Sequence, residues 1–144
     1  MPRYLLAVTF EPGVIDTPME QWKPEEITAH LDYYKVLSEQ LLNSGELIET
    51  HILAAPSLAK IVTGDGERAP TVVDGPFPEF KEWVAGFQIV EVDSEARALE
   101  IAAKVSAVPG PNGVATQQPI HVRQVMDHAP SDVAEMEAFL QQVG

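Results

Sequence analysis

Apolar residues in this chain recur with two periods, and the alternation between them lays out the fold. In residues 3–10, RYLLAVTF, Tyr4, Leu6, Val8 and Phe10 fall on one side of an extended chain and Leu5 and Ala7 on the other. Residues 84–92, VAGFQIVEV, repeat the pattern, with Phe87 and Ile89 on one side and Val90 and Val92 on the other. A strand that is apolar on both faces is covered on both faces. Between these two strands the period lengthens. Ile27, Leu31, Tyr34, Leu37, Leu41 and Leu42 recur at helical spacing after Pro24, a residue suited to a first helical turn, and Gly45 supplies the C-terminal stop. Residues 46–54 read as a strand, and residues 58–63 and 71–74 read as a hairpin around the turn-rich GDGERAP. Ser94 caps a second helix whose apolar face carries Ala98, Ile101, Ala102 and Val105. Residues 120–126 form a last strand. The amphipathic tail carries Val133, Met136, Phe139 and Leu140, with Asp132 and Glu135 at capping-box spacing.

The order β, α, β, hairpin, β, α, β, helix predicts an α+β fold. Two βαβ halves interrupted by a hairpin make a ferredoxin-like split βαβ with an antiparallel sheet. Residues 1–127 form one domain and 128–144 a C-terminal amphipathic helix. Such a sheet carries both helices on one face, yet its two most apolar strands need cover on the other. A second copy of the chain is the simplest cover, so a homodimer is expected.

Composition narrows the function classes. The chain has 144 residues, enough for one domain with a core that needs no staple, and it has no cysteine, which removes thiol chemistry and disulfides together. A net charge of −13, from 22 acidic and 9 basic residues, disfavours nucleic acid and anionic membrane surfaces as partners. Without a long apolar run or a secretory leader pattern, a cytoplasmic protein is expected. HExxH, GxSxG, P-loop and dinucleotide-binding glycine motifs do not occur, and the spacing of the four histidines suggests no metal site and no cofactor.

The stretch VVDGPFPEFKEWVAGF stands apart. Gly75 permits unusual backbone angles, Pro76 fixes its own, and the pair predicts a rigid corner after Asp74. Phe77, Phe80 and Trp83 recur every three residues, so one helical turn gathers them on one side. Either they plug the rim of the core or a dimer seam, or they wall a ligand pocket with Asp74 at its mouth. Asp74 follows Val72 and Val73, which read as buried. It either accepts hydrogen bonds from its own turn or, partly desolvated, serves as a general base.

These residues resemble the YCII-related proteins of the DGPF type. The match rests on Asp74, Gly75, Pro76, Phe77, Glu79, Lys81, Glu82, Gly86 and Phe87, with HVRQVMD resembling the closing strand of the family. Phe80 stands where the family usually has a hydroxyl residue. The resemblance implies a dimeric α/β barrel built from two ferredoxin-like sheets, in a superfamily that includes small-molecule isomerases, lyases and monooxygenases. It also implies a first-helix histidine paired with an aspartate. Counted back from Gly45, Tyr34 stands at that position and His30 one turn earlier.

The remaining candidates lie on the last strand. His121 and Arg123 share one face, away from Ile120 and Val122. They suit either an edge with ion pairs to Glu91 or an anion clamp led by Arg123. One function expected from these residues is metal-free acid–base chemistry on a small organic molecule. Asp74 is then the base, His30 or Tyr34 the second proton carrier, and Arg123, His121, Phe77, Phe80 and Trp83 the substrate contacts. The alternatives are a non-catalytic ligand-binding or regulatory accessory module, and a dimeric scaffold.

Overall fold

The computed structural model describes residues 1–75 and 83–143. Its elements follow the predicted order: β1 (Arg3–Thr9), α1 (Pro24–Asn43), β2 (Leu47–Ile52), β3 (Lys60–Thr63), β4 (Thr71–Asp74), β5 (Val84–Glu91), α2 (Glu95–Ser106), β6 (Ile120–Val125) and α3 (Val133–Val143). The main sheet runs β2-β5-β1-β6 with every neighbour antiparallel, and β3 and β4 pair separately as a hairpin. This is the ferredoxin-like α+β arrangement. Each helix links two strands that are not neighbours, and the strand between them runs the opposite way. The sheet is open, with β2 and β6 at its edges.

Strand alternation decides which side chains meet the helices. Tyr4 and Leu6 of β1 lie opposite Val90 and Gln88 of β5, and opposite Gln124 and Val122 of β6. Tyr4, Leu6, Leu47, Val90 and Val92 form one core cluster with Leu37 and Leu41 of α1 and Ala98, Ile101, Ala102 and Val105 of α2. All four residues expected on the face of α2 are buried. The stripe of α1 is only partly used. Leu37 and Leu41 are buried, but Leu31 and Leu42 are 59% and 60% exposed. Helical period sets the angle of a side chain, not how far the partner surface extends beneath it, and Leu31 borders a cavity instead of packed side chains.

The termini of these elements obey local rules. After α1, Gly45 takes φ +78°, its N–H meets the Leu42 carbonyl, and the Glu46 N–H meets that of Leu41, the paired bonds of a Schellman stop. Ser94 Oγ accepts from the Arg97 N–H at 3.3 Å, and Asp132 Oδ1 from the Glu135 N–H at 2.8 Å. The chain leaving α1 is then clipped to the start of α2. Arg97 donates from Nε and Nη2 to the two carboxylate oxygens of Glu46, at 2.8 and 2.9 Å. That fork, aided by the Ser44 hydroxyl and opposed by partial burial, holds the Glu46 carboxyl at about 2.

Outside this core the chain is thinly covered. The sheet face opposite the helices carries Leu5, Ala7, Phe87 and Ile89 at its centre, flanked by the Arg3–Glu91 ion pair at 2.8 Å. Glu91 is thereby engaged by Arg3, not by the residues of β6. The hairpin is exposed along its whole length. Val72 and Val73, which read as buried in the sequence, are 55% and 44% exposed. Two β-branched apolar residues in succession signal a strand, and this strand pairs only with β3, so nothing in the main sheet covers it. No residue of α3 is buried, and Val133, Met136 and Leu140 present its apolar stripe to the surface.

The Glu46–Arg97 fork yields a pH test. A carboxyl held below its ordinary 4.5 stabilises the fold above that value and loses the contribution as pH falls towards about 2. Arg97→Ala is expected to cost about 1 kcal/mol near pH 7, since both partners keep some exposure. Urea denaturation of both proteins should show the difference shrinking below pH 4.5. A difference independent of pH would mean that Arg97 acts through packing alone.

A candidate ligand cleft

Between α1 and the β2–β5 side of the sheet lies a cleft of about 480 Å³. Its floor comes from three strands: Leu6 and Val8 of β1, Ala85, Gly86, Phe87 and Gln88 of β5, and Thr50, His51 and Ile52 of β2. Leu31, Tyr34, Lys35 and Ser38 of α1 overhang it, and Val105 of α2 closes one side. Gly86 belongs here for a steric reason. A Cβ at this position would stand 2.9 Å from the His51 carbonyl oxygen, so only glycine lets β2 approach so closely.

The wall is mainly apolar, with a few polar groups set into it. Gln88 is the most telling, because its Oε1 is buried and has no hydrogen-bond partner among the described residues. A buried carbonyl oxygen left unpaired costs about 1–3 kcal/mol, so a partner is expected to reach it. Lys35, Ser38 and Thr50 add an ammonium and two hydroxyls. Burial, and then the neighbouring Tyr33, push the Tyr34 phenol up to about 12, so it stays protonated at neutral pH. Its hydroxyl lies 3.5 Å from the Val105 carbonyl.

His30 sits one turn before Tyr34, and the two rings meet edge to face at 5.1 Å. Trp22 packs edge-on against the other side of His30 at 5.3 Å. His30 Nδ1 lies 2.9 Å from the Pro109 carbonyl oxygen. A carbonyl only accepts, so Nδ1 carries the proton, and Nε2 has no hydrogen-bond partner among the described residues. The same helix turns are tied at two further points, to the last turn of α2 and to the chain after it. Tyr33 Oη donates to the Lys104 carbonyl at 2.6 Å, and Glu26 accepts from the N–H groups of Lys23 and Asn112, which hold its carboxyl below the usual range.

Among the described residues Tyr34 is the predicted one that lines the cleft, and His30 beside it does not. Asp74 ends β4 with its side chain 80% exposed, ion-paired with Lys60, its register partner across the hairpin. It lines neither this cleft nor the second one described below. Trp83 is half-buried and lies over Gly75, with Cη2 at 3.2 Å from where a Cβ on that glycine would stand. Phe77 and Phe80 lie outside the described residues. His121 and Arg123 point to the open sheet face. His121 Nε2 is 3.8 Å from a Glu11 carboxylate oxygen, and Arg123 makes no ion pair among the described residues. Arg123 also lines a second, wider cleft of about 750 Å³ between β6 and α3. The structure thus brings His30 and Tyr34 together, keeps Asp74 with Trp83 at the hairpin corner, and sets His121 and Arg123 on another surface. Among the described residues no three His, Asp or Glu side chains gather as a metal site would require, and no helix is long and apolar enough to cross a membrane.

Gln88, Thr50, Lys35 and Ser38 escaped the sequence reading. One signal was there to be used. Alternation along β5 puts Gln88 on the same face as Val90 and Val92, and a polar side chain on a buried face calls for a partner.

Gly75 also differs from expectation. Its φ is not in the left-handed region, so the corner does not demand glycine's backbone freedom. A methyl there meets Trp83 Cη2 at 3.2 Å and Ile61 Cδ1 at 3.4 Å, both on side chains able to shift by a few tenths of an ångström. Gly75→Ala is therefore expected to cost less than about 1 kcal/mol in denaturant titrations. A larger loss would show that Trp83 is held rigidly against the corner.

A comparison with curated proteins returns no match. The family model described as YCII-related domain matches residues 3–121, a span that takes in β1 to β5, both packed helices and the whole cleft and ends at the start of β6. The chain belongs to the YCII-related domain family.

Proposed function

We propose that this protein binds a small organic molecule in the cleft between α1 and the sheet, as a ligand-binding or regulatory accessory module. The observation that carries this reading is Gln88, which lines a mainly apolar cavity of about 480 Å³ and whose buried Oε1 has no hydrogen-bond partner among the described residues. An apolar cavity with a few convergent polar groups is the usual form of a small-molecule site. Acid–base catalysis is the second reading, and one observation favours it. His30 is fixed through Nδ1 with Nε2 unused, beside a Tyr34 phenol that stays protonated. Asp74 as its base has less support, since that carboxylate is exposed and engaged by Lys60.

The proposal includes a homodimer. Both helices of the core pack on one sheet face, and Leu5, Phe87 and Ile89, half-buried on the other, lie outside that core. A second copy seated there, face to face, supplies the cover that a barrel of two sheets requires.

Two measurements test this function. The neutral dye N-phenyl-1-naphthylamine should gain fluorescence on binding, and Thr50→Trp should abolish the gain by filling the cleft while leaving the circular dichroism unchanged. No gain with the unsubstituted protein overturns the cleft reading. Light scattering at micromolar concentration should give twice the 15.7 kDa chain mass, and Ile89→Lys should halve it. A monomer mass for the unsubstituted protein removes the dimer.

A further inference from the structure

We infer that the cleft ligand is a small organic acid, held with its carboxylate at Lys35 and a hydrogen-bond donor against Gln88. This rests on the cleft reading above and adds a polarity to it. Lys35 lines the cleft from α1 and is exposed, which places its ammonium on the solvent side, whereas Gln88 Oε1 is buried. The two groups ask for opposite things. An ammonium attracts an anion, and an amide oxygen accepts from an N–H or O–H.

Charge counts strengthen the assignment. Carboxylates outnumber cationic side chains by 22 to 9 in this chain, and Asp32 and Glu39 lie one turn to either side of Lys35 on α1. Even so, Lys35 makes no ion pair among the described residues. With a net charge of −13 the distant field opposes any anion. That field is screened beyond about 8 Å at physiological salt, whereas a contact at the cleft mouth is not. An acid bound here is thus chosen by local contacts. Its body must be apolar enough for the Leu6, Val8 and Leu31 walls, and Ser38 and Thr50 are at hand for further oxygen atoms.

Three probes separate the parts: 4-hydroxyphenylacetate, its methyl ester, and phenylacetate. Calorimetric titration should show the hydroxy acid binding best, with about a tenfold loss for the ester and a similar loss for phenylacetate. Lys35→Met should weaken the acid to the level of the ester and leave the ester unchanged. Gln88→Leu should bring the hydroxy acid to the level of phenylacetate, and Gln88→Met serves the same purpose if the leucine variant does not fold. Equal binding of acid and ester, or no response to Lys35→Met, overturns the inference. So does failure of all three probes when the neutral dye still binds, a result that leaves the cleft reading standing. If the dye also fails to bind, the cleft reading falls, and this inference with it.

Discussion

The pairing of β1 with β5 is the constraint on which the rest of this structure depends. These two strands occupy the centre of the sheet and carry apolar side chains on both faces. On one face Tyr4, Leu6, Val90 and Val92 bury themselves beneath α1 and α2, and this burial is the main driving force available to a chain without disulfides. On the other face stand Leu5, Ala7, Phe87 and Ile89, outside the core cluster that α1 and α2 cover, and the same alternation that builds the core places them there.

The cleft follows from how α1 sits on that sheet. Its C-terminal half packs through Leu37 and Leu41, while its N-terminal half is secured sideways, through His30, Tyr33 and Glu26, to the chain around residues 104–112. Anchored at the side and not from below, this half of the helix overhangs the floor made by Val8, Gly86 and Ile52. Gln88, whose neighbours in register are Leu6 and Thr50, is the polar residue there whose buried Oε1 has no hydrogen-bond partner among the described residues.

Charge has a supporting part in the same geometry. The Glu46–Arg97 fork joins the end of α1 to the start of α2, fixing the two helices relative to each other where both leave the sheet. Elsewhere ion pairs are exposed, as at Lys60–Asp74 and His128–Glu135, and such pairs add little to stability. The hairpin and α3 consequently stand on the core with little holding them, and their apolar residues remain surface features of the single chain.

Much of the fold was legible in the sequence because it is written in local periods. The two-residue alternation of β1 and β5, the 3.6-residue stripe of α2, the Gly45 stop and the Ser94 cap each depend on neighbours a few positions away, so residue order alone determined the elements, their sequence and the ferredoxin-like class. The family motif around Asp74 was legible for the same reason. The candidate site was not. Val72 and Val73 have the composition of buried strand residues, but exposure depends on what another part of the chain places over them. Asp74 borders the recognisable motif, yet its carboxylate meets Lys60, 14 residues away, and not a proton carrier on α1. Gln88 and Lys35 are 53 positions apart and share a cleft only once β5 lies under α1. Tertiary structure alone decided which polar groups face a common space, because that depends on packing between distant segments, and no local period records it.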